Sequence, residues 1–261
     1  MKIGIFDSGL GGLTALKEAI TLMPQCDFVY FGDTGRVPYG TRSAETIKKY
    51  ARGAVNFLLS HGVDAMLAAC GTVSSVALDE ISPEYDIPIV GVVDPAAADA
   101  LKATKNGRIA VIGTSATVNS GTFARKLHDA CDKVEVICVP CPLFVPLVEN
   151  GFIGRGEKIT EMVAERYLAP VREFGADTVI LACTHYPIIS DIIEAVLPGV
   201  QQISSGRSAA DALAASLPDH SGSGSVNYYV SDSPETFETV ASIFMGKKIC
   251  CSAEKVEIEN Y

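Results

Sequence analysis

The chain has 261 residues, 48% of them hydrophobic, which is enough for one large or two modest cores. Its formal net charge of −10 and isoelectric point of about 4.9 argue against binding to nucleic acids or anionic membranes. No apolar run is long enough to span a bilayer, and the sequence enters a strand at once without a signal-peptide pattern. We therefore expect a cytoplasmic protein with no nucleic-acid or membrane partner, in which the eight cysteines are reduced.

Apolar, strand-like runs alternate with longer helical patterns through the first part of the chain. Strands are predicted at residues 2–6, 28–32, 65–69 and 89–92. Helices are predicted at 13–22, 43–60, near 74–81 and from 95 onward. Continuous apolar strands separated by helices are typical of parallel sheets that are covered on both faces.

The second half repeats this alternation. It has predicted strands at 108–113, 134–139 and 178–182, and predicted helices at 120–131, 158–174 and 187–197. The tail adds a helix at 208–216, a loop at 219–225 with a flexible stretch at 221–225, a strand at 226–230 and a helix at 234–245. We expect an α/β fold of two pseudo-symmetric, doubly wound domains with mainly parallel sheets and an active-site cleft between them. The domains are predicted at 1–95 plus 208–261 and at 96–207. The chain would then pass between the domains twice, and two such connections predict a hinge.

One short phrase occurs twice, and each copy ends in a cysteine. Residues 62–70 (GVDAMLAAC) match residues 175–183 (GADTVILAC), so Cys70 and Cys183 each follow a buried strand. A lone cysteine in such a place is usually inert core filling. The symmetric placement favours chemistry instead, because ligands of α/β folds bind at the carboxyl ends of strands. Thiols on opposite sides of one cleft suit removal of a proton from one face of a carbon and its return on the other.

The remaining candidates also follow predicted strands. Asp7 and Ser8 open a glycine-rich turn that would bind a small carboxylate or orient an ammonium group, or would only cap a helix. His185 is placed to tune Cys183 or move protons, and Glu149 is a candidate auxiliary carboxylate, although an exposed glutamate is the default interpretation. The other candidate substrate-binding residues are loop or capping positions: Pro38, Tyr39, Gly40, Gly71, Thr72, Thr114, Thr117 and Thr184.

A metal or redox site is weakly supported. Cys138 and Cys141 form a CxxC, and Cys250 is followed directly by Cys251. Neither pattern is joined by a second CxxC or a histidine pair at ligand spacing. We expect no metal and no cofactor.

Several of these motifs resemble the aspartate/glutamate racemase superfamily. They span nearly the whole chain in order: residues 4–13 (GIFDSGLGGL), 30–34 (YFGDT), 38–40 (PYG), 113–117 (GTSAT), 141–149 (CPLFVPLVE) and 183–187 (CTHYP). The resemblance implies a cofactor-independent, two-cysteine racemase of a free amino acid, with two α/β domains and often a homodimer. It also implies a role in supplying D-glutamate for peptidoglycan. By position, Cys70 and Cys183 would be the catalytic pair, and Asp7–Ser8, Tyr39–Gly40, Thr72 and Thr184–His185 would hold the substrate.

Gly71 departs from the family pattern, in which an asparagine that contacts the substrate follows the first cysteine. We expect the glycine to enlarge the pocket beside Cys70, so that Gly71→Asn would improve the turnover of glutamate. Two alternatives remain open. The chain is a racemase of a different amino acid that Gly71 admits, or a non-catalytic binding or regulatory protein on the same scaffold.

Overall fold

The computed structural model describes residues 1–246 and 252–261. The strands are β1 (Lys2–Asp7), β2 (Asp27–Gly32), β3 (Ala65–Ala68), β4 (Ile89–Gly91), β5 (Arg108–Gly113), β6 (Glu135–Pro140), β7 (Thr178–Leu181), β8 (Gln201–Ser204), β9 (Val226–Val230) and β10 (Glu254–Lys255). The α-helices are α1 (Leu13–Leu22), α2 (Ala44–Ser60), α3 (Gly71–Val76), α4 (Leu78–Ile81), α5 (Val93–Ala103), α6 (Ser115–Asn119), α7 (Thr122–Ala130), α8 (Phe144–Glu149), α9 (Lys158–Phe174), α10 (Ser190–Val196), α11 (Ser205–Ser216) and α12 (Pro234–Met245).

The strands form two parallel sheets with the same internal order. The first runs β10-β9-β2-β1-β3-β4, and the second runs β6-β5-β7-β8. Pairing β1 with β5 and β3 with β7 superimposes the two orders. In register, Ile3 faces Ala65 in the first sheet and Ile109 faces Thr178 in the second. The predicted α/β class and the pseudo-symmetric pair of domains are confirmed.

Both faces of the strands are buried, as their continuous apolar sequences predict. In β5, Ile109 and Val111 pack into one core cluster, while Ala110 and Ile112 pack into another. The second of these clusters also contains Ile3 and Ile5 of β1, so buried apolar contacts continue from one domain into the other. A fully buried isoleucine contributes roughly 1.5–3 kcal/mol relative to an exposed one.

Two helices carry the chain between the sheets. α5 leads into the second domain and α11 leads back, and the two pack against each other, while α11 also packs on α1. The predicted boundaries at 95/96 and 207/208 fall inside these two helices. We propose those boundaries as the points where the domains pivot.

The loop predicted to be flexible at 221–225 is held in place. Asp27 Oδ1 accepts hydrogen bonds from the backbone N–H groups and hydroxyls of Ser223 and Ser225, at 2.6 to 3.1 Å. These four donors hold the pKa of the Asp27 carboxyl well below its usual range. The alternating serines and glycines of this loop therefore wrap around a carboxylate.

Some elements begin earlier than predicted or were missed. α3 begins at Gly71, directly after Cys70 at the N-cap, and not near residue 74. The helix predicted at 120–131 is α7, and the shorter α6 before it was not predicted. Gly121, with a positive φ of 67°, separates the two helices. Strand β8 and helix α8 were not predicted. None of the helices in the described part of the chain is long and apolar enough to cross a membrane.

Candidate active site

A cavity of about 370 Å³ lies between the domains, at the carboxyl ends of the strands. Its walls contain both cysteines of the duplicated phrase, one from each domain. The lining residues are Ser8, Gly9, Val37, Pro38, Tyr39, Gly40, Thr41, Cys70, Gly71, Thr72, Thr114, Ser115, Pro142, Val145, Pro146, Glu149, Ala182, Cys183, Thr184 and His185. No lysine or arginine is among these described residues, so any anion in the cavity meets backbone N–H groups, hydroxyls and His185.

Cys70 lies in a water-poor position at the start of α3. Its side chain is 4% exposed, and its Sγ donates a hydrogen bond to Ser8 Oγ at 3.3 Å. Burial raises the pKa of the Cys70 thiol to about 12, and the negative charge of Asp7 acts in the same direction. The hydrogen bond with Ser8 opposes these effects without overcoming them. In the unliganded site at neutral pH, Cys70 is therefore a thiol.

Cys183 has a different electrostatic environment from that of Cys70. Its Sγ lies 3.8 Å from His185 Nδ1, and His185 Nε2 lies 2.9 Å from Glu149 Oε1. The side chain of His185 is 8% exposed and that of Glu149 is 41% exposed, so the carboxylate lies at the solvent end of the chain of contacts. The imidazole thus joins a carboxylate at the cleft mouth to a buried thiol.

His185 carries a positive charge at neutral pH. Burial alone would lower its pKa, but the hydrogen bonds to Cys183 and Glu149 outweigh burial and raise the pKa to about 10. His185 therefore places a positive charge next to the Cys183 sulfur, which lies 3.8 Å from Nδ1. The two sulfurs are therefore poised unequally, one next to an imidazolium and the other protonated in an apolar environment.

This charge predicts a pH dependence of stability. The folded pKa of His185, about 10, exceeds its ordinary value of 6.5, so the stabilisation is complete below 6.5 and is lost as the pH rises through about 10. We expect His185→Gln to remove this dependence. The variant should have a lower unfolding free energy than wild type at pH 6.5, and the difference between the two proteins should become smaller as the pH rises to 10. Urea titrations across that range measure the effect, with exposed His128→Gln as the control. A deficit that stays constant with pH would contradict the charged pair.

Asp7 lies behind the cavity wall at the end of β1. It is 2% exposed, its Oδ2 accepts a hydrogen bond from Gly9 N at 3.0 Å, and its Oδ1 has no hydrogen-bond partner among the described residues. Burial raises the pKa of Asp7, and this increase is opposed by the charge of His185 and by nearby backbone N–H groups. An unpaired buried carboxylate oxygen of this kind is an acceptor available to a cationic group.

The Tyr39 segment is fixed from behind. The Tyr39 hydroxyl donates to the buried carboxylate of Asp33, which also pairs with Arg36 at 2.7 Å. The Arg36 guanidinium stacks 4.1 Å above the ring of Tyr50, and Ser231 Oγ donates to Asp33 at 2.7 Å. These contacts hold the Tyr39 side chain from behind, and Pro38, Tyr39 and Gly40 form part of the cavity wall.

Three threonine hydroxyls bridge the two domains. Thr72 Oγ1 lies 3.0 Å from Thr114 Oγ1 and 3.5 Å from Thr117 Oγ1. Thr114 also caps α6 by accepting a hydrogen bond from the backbone N–H of Thr117. Thr72 and Thr114 line the cavity, whereas Thr117 lies behind them and supports them.

The structure brings most of the predicted site residues to one cavity. Asp7 and Thr117 lie behind the lining, and the others form part of it. The sequence reasoning did not identify the apolar wall of Pro142, Val145 and Pro146, although these residues lie in the stretch 141–149 that carries the family resemblance. Pro142 precedes α8 and Pro146 lies inside it, and these two prolines obscured the helix in the sequence.

The expectation that Gly71 enlarges the pocket beside Cys70 was wrong. A Cβ added at this position would lie less than 3.0 Å from the backbone carbonyl oxygen of Ala182, in the other domain. The glycine therefore does not open space beside Cys70. It allows the two backbones to approach each other.

The remaining cysteines form no metal centre in the described chain. Cys138 is half-buried on β6, while Cys141 is fully buried and its thiol points to the Val139 carbonyl at 3.6 Å. Within residues 1–246 and 252–261, no three His, Cys, Asp or Glu side chains are grouped so that they could hold a metal ion. Cys250 and Cys251 lie outside the described residues.

Known proteins are similar to this chain over its whole length. The family model "Asp/Glu/Hydantoin racemase" matches residues 13–246. A glutamate racemase of Persephonella marina is 43% identical over 260 residues, covering 100% of this chain and 98% of that protein. The crystal structure of a glutamate racemase isoform from Bacillus anthracis has a TM-score of 0.92 at 32% identity, covering 98% of this chain and 97% of the other. The structure of a Francisella tularensis glutamate racemase in complex with D-glutamate has a TM-score of 0.88 at 34% identity, covering 100% of this chain and 98% of the other.

These likenesses extend across both domains and the cleft between them. The family model alone covers most of the chain, and the sequence identities to the relatives are far above the level that shows only a common fold. The chain therefore belongs to the Asp/Glu/Hydantoin racemase family and is an amino-acid racemase, an isomerase.

Proposed function

We propose that this protein interconverts L- and D-glutamate by a two-cysteine mechanism without a cofactor. The observation that carries the proposal is the presence of Cys70 and Cys183 at equivalent strand ends of two pseudo-symmetric domains, on the walls of one cavity. The glutamate racemases to which the chain is similar, including one with bound D-glutamate, support the choice of substrate.

In the proposed reaction, one thiolate removes the α-proton and becomes a thiol. The electron pair left on Cα is protonated on the opposite face by the other thiol, which becomes a thiolate. Cys183 beside the cationic His185 is prepared to act as the base, and protonated Cys70 is prepared to act as the acid. The reverse direction exchanges these roles, so product release must be followed by a proton transfer that restores the starting state.

The Cα–H bond is a weak acid, and the site must stabilise the charge that forms when it breaks. The cavity wall is mostly apolar, and in such surroundings fixed N–H and hydroxyl donors stabilise developing charge more strongly than they do in water. Thr72, Thr114 and Ser8 supply hydroxyls on the lining, and Asp7 offers its free oxygen to the substrate ammonium. In this proposal, Tyr39 and Gly40 close the side of the cavity that receives the substrate side chain.

The test is a comparison of free amino acids in heavy water. Wild-type protein should exchange the α-hydrogen of glutamate for deuterium and racemise it, and other amino acids should react far more slowly. NMR and circular dichroism measure the two events. Faster turnover of another amino acid would identify a different substrate, and absence of exchange with every amino acid would indicate a binding protein.

A related expectation concerns cofactors. No lysine that could form a Schiff base lies among the described lining residues. Glutamate racemisation should therefore proceed without added pyridoxal phosphate and should keep its rate in the presence of EDTA. The controls are a pyridoxal-dependent racemase and a zinc peptidase measured in the same buffers. Loss of activity in EDTA that returns on adding a metal would contradict this expectation.

The proposal extends to the role and assembly of the enzyme. We propose that it supplies D-glutamate for peptidoglycan, in the cytoplasm, and that it acts as a homodimer. The exposed apolar side chains of Leu143, Ile159 and Met162, which are 51%, 52% and 74% exposed, offer surface for self-association. Sedimentation equilibrium measures the oligomeric state, and depletion of the protein in a bacterium that carries it should be rescued by external D-glutamate.

A further inference from the structure

Two glycines of the first domain lie directly against the loop that carries Cys183. Gly71 faces the carbonyl oxygen of Ala182, and Gly11 faces Thr184 and His185. A Cβ at position 11 would lie 2.5 Å from His185 Nδ1, and a Cβ at position 71 would meet backbone at less than 3.0 Å. Residues 182–185 therefore rest on two backbone surfaces that have no side chains, which we call the glycine seat (Gly11 and Gly71).

Both positions require glycine because an added Cβ would have no room, and not because the backbone has a conformation that only glycine adopts. Neither has a positive φ, in contrast to Gly62 and Gly175 in the turns before β3 and β7, where φ is 66° and 73°. Gly71 is the first residue of α3, where alanine is preferred to glycine by intrinsic propensity. Alanine at this position would therefore stabilise the helix if its Cβ did not clash with the Ala182 carbonyl oxygen of the other domain.

A separate contact ties the same loop to the first domain. Thr14 Oγ1 lies 2.8 Å from the carbonyl oxygen of Gly11 and 3.0 Å from that of Thr184, and it donates its one proton between them. Thr14 is 9% exposed, so this hydrogen bond is shielded from water. The loop is thus held at the seat by a polar contact as well as by close packing.

The seat lies next to the reacting groups in the sequence. Gly71 follows Cys70, and Ala182 precedes Cys183, so the contact between them is one residue from each sulfur. We propose that Gly11 and Gly71 are positioning residues. They set the separation of the two thiols by letting the domains close until the backbone of Gly71 meets that of Ala182 and the backbone of Gly11 meets the side chains of Thr184 and His185. This inference rests on the proposed two-cysteine function.

Racemisation and the elimination of chloride from a chlorinated glutamate should depend differently on the separation of the two thiols. Racemisation needs both sulfurs within reach of one carbon, and a misplacement of about 1 Å can cost 10²-fold in rate. A glutamate that carries chlorine on Cβ needs one sulfur only. The thiolate takes the α-proton, the electron pair of the C–H bond forms the double bond from Cα to Cβ, and chloride leaves with the electron pair of the C–Cl bond. The resulting enamine tautomerises to an imine, and water hydrolyses it to 2-oxoglutarate and ammonium.

The experiment compares Gly71→Ala with wild type and with Gly53→Ala. Gly53 lies in α2, where an added Cβ has no neighbour nearer than 4.0 Å. For Gly71→Ala we expect the kcat of racemisation to fall about 10²-fold while chloride release stays within about threefold of wild type. Gly53→Ala should change neither rate. Racemisation that stays near the wild-type rate, or a parallel loss of both reactions in folded protein, would overturn the proposal.

Two further measurements keep the result decisive. If Gly71→Ala does not fold, Gly11→Ala enters the same assays, because its new methyl group meets the side chains of Thr184 and His185 and not backbone, which disturbs the fold less. Alkylation of buried Cys183 by iodoacetamide, followed by mass spectrometry, reports closure without any substrate, and it should be faster in the seat variants than in Gly53→Ala. If wild type does not racemise glutamate, the proposed function fails, and the alkylation rates still decide whether the seat closes the cleft. Equal alkylation rates in the seat variants and in Gly53→Ala would contradict the proposal that the glycine seat sets the closure of the cleft.

Discussion

Replacing either Cys70 or Cys183 by alanine is expected to reduce the kcat of glutamate racemisation by at least about 10³-fold. Each thiol serves one face of Cα, so loss of one leaves no group to complete the inversion. The cysteines are buried at 4% and 7% exposure, and each alanine removes one sulfur atom from the cavity wall, so the fold should persist. Polarimetry with each enantiomer measures the loss, and Cys131→Ala, outside the cavity lining, is the control.

The two variants should differ in their residual chemistry. In each one the remaining thiol still faces one enantiomer, from which it can remove the α-proton and return a deuteron from heavy water. Exchange without inversion should therefore survive for opposite enantiomers in Cys70→Ala and Cys183→Ala. Exchange that survives for the same enantiomer in both variants, or racemisation near the wild-type rate in either, would rule out two opposed bases.

Local repetition allowed the paired strands to be predicted from the sequence. The matched phrases before Cys70 and Cys183 predicted equivalent strands. The structure pairs Ile3 of β1 with Ala65 of β3, and Ile109 of β5 with Thr178 of β7, so the two strands that precede the cysteines take equivalent places in their sheets. Buried parallel strands have a strong local signal, because both faces must be apolar.

Contacts between distant segments could not be predicted in this way. The hydrogen bonds of Asp27 with Ser223 and Ser225 join residues almost 200 positions apart, and a serine- and glycine-rich segment reads as flexible without them. The role of Gly71 likewise depends on Ala182 of the other domain. His185 and Glu149 were each candidates, but their pairing depends on where α8 lies relative to β7. Each of these three contacts depends on tertiary packing, which the local sequence does not show.

Asp7→Asn is expected to lower kcat/KM for glutamate by about 10²-fold while raising the stability of the protein at neutral pH. The raised pKa of Asp7 means that the folded state holds the proton more tightly than the unfolded state does. The stability linked to this group is therefore complete below its ordinary pKa of 3.8 and is lost as the pH rises through the higher folded value. Asparagine keeps the shape and an oxygen acceptor for Gly9 N without the buried charge, so the unfolding free energy in urea should increase.

The same variant should also change the reactivity of Cys70. The charge of Asp7 raises the pKa of Cys70, second to burial, so its removal should increase the thiolate fraction and the rate of alkylation by iodoacetamide. Cys26 is fully buried, and its unchanged protection would show that the fold is intact. Activity would then fall although the thiol had become more reactive, which is the result expected if Asp7 holds the substrate ammonium. If Asp7→Asn instead keeps its kcat/KM, Asp7 makes no such contact, and the free carboxylate oxygen has a structural role only.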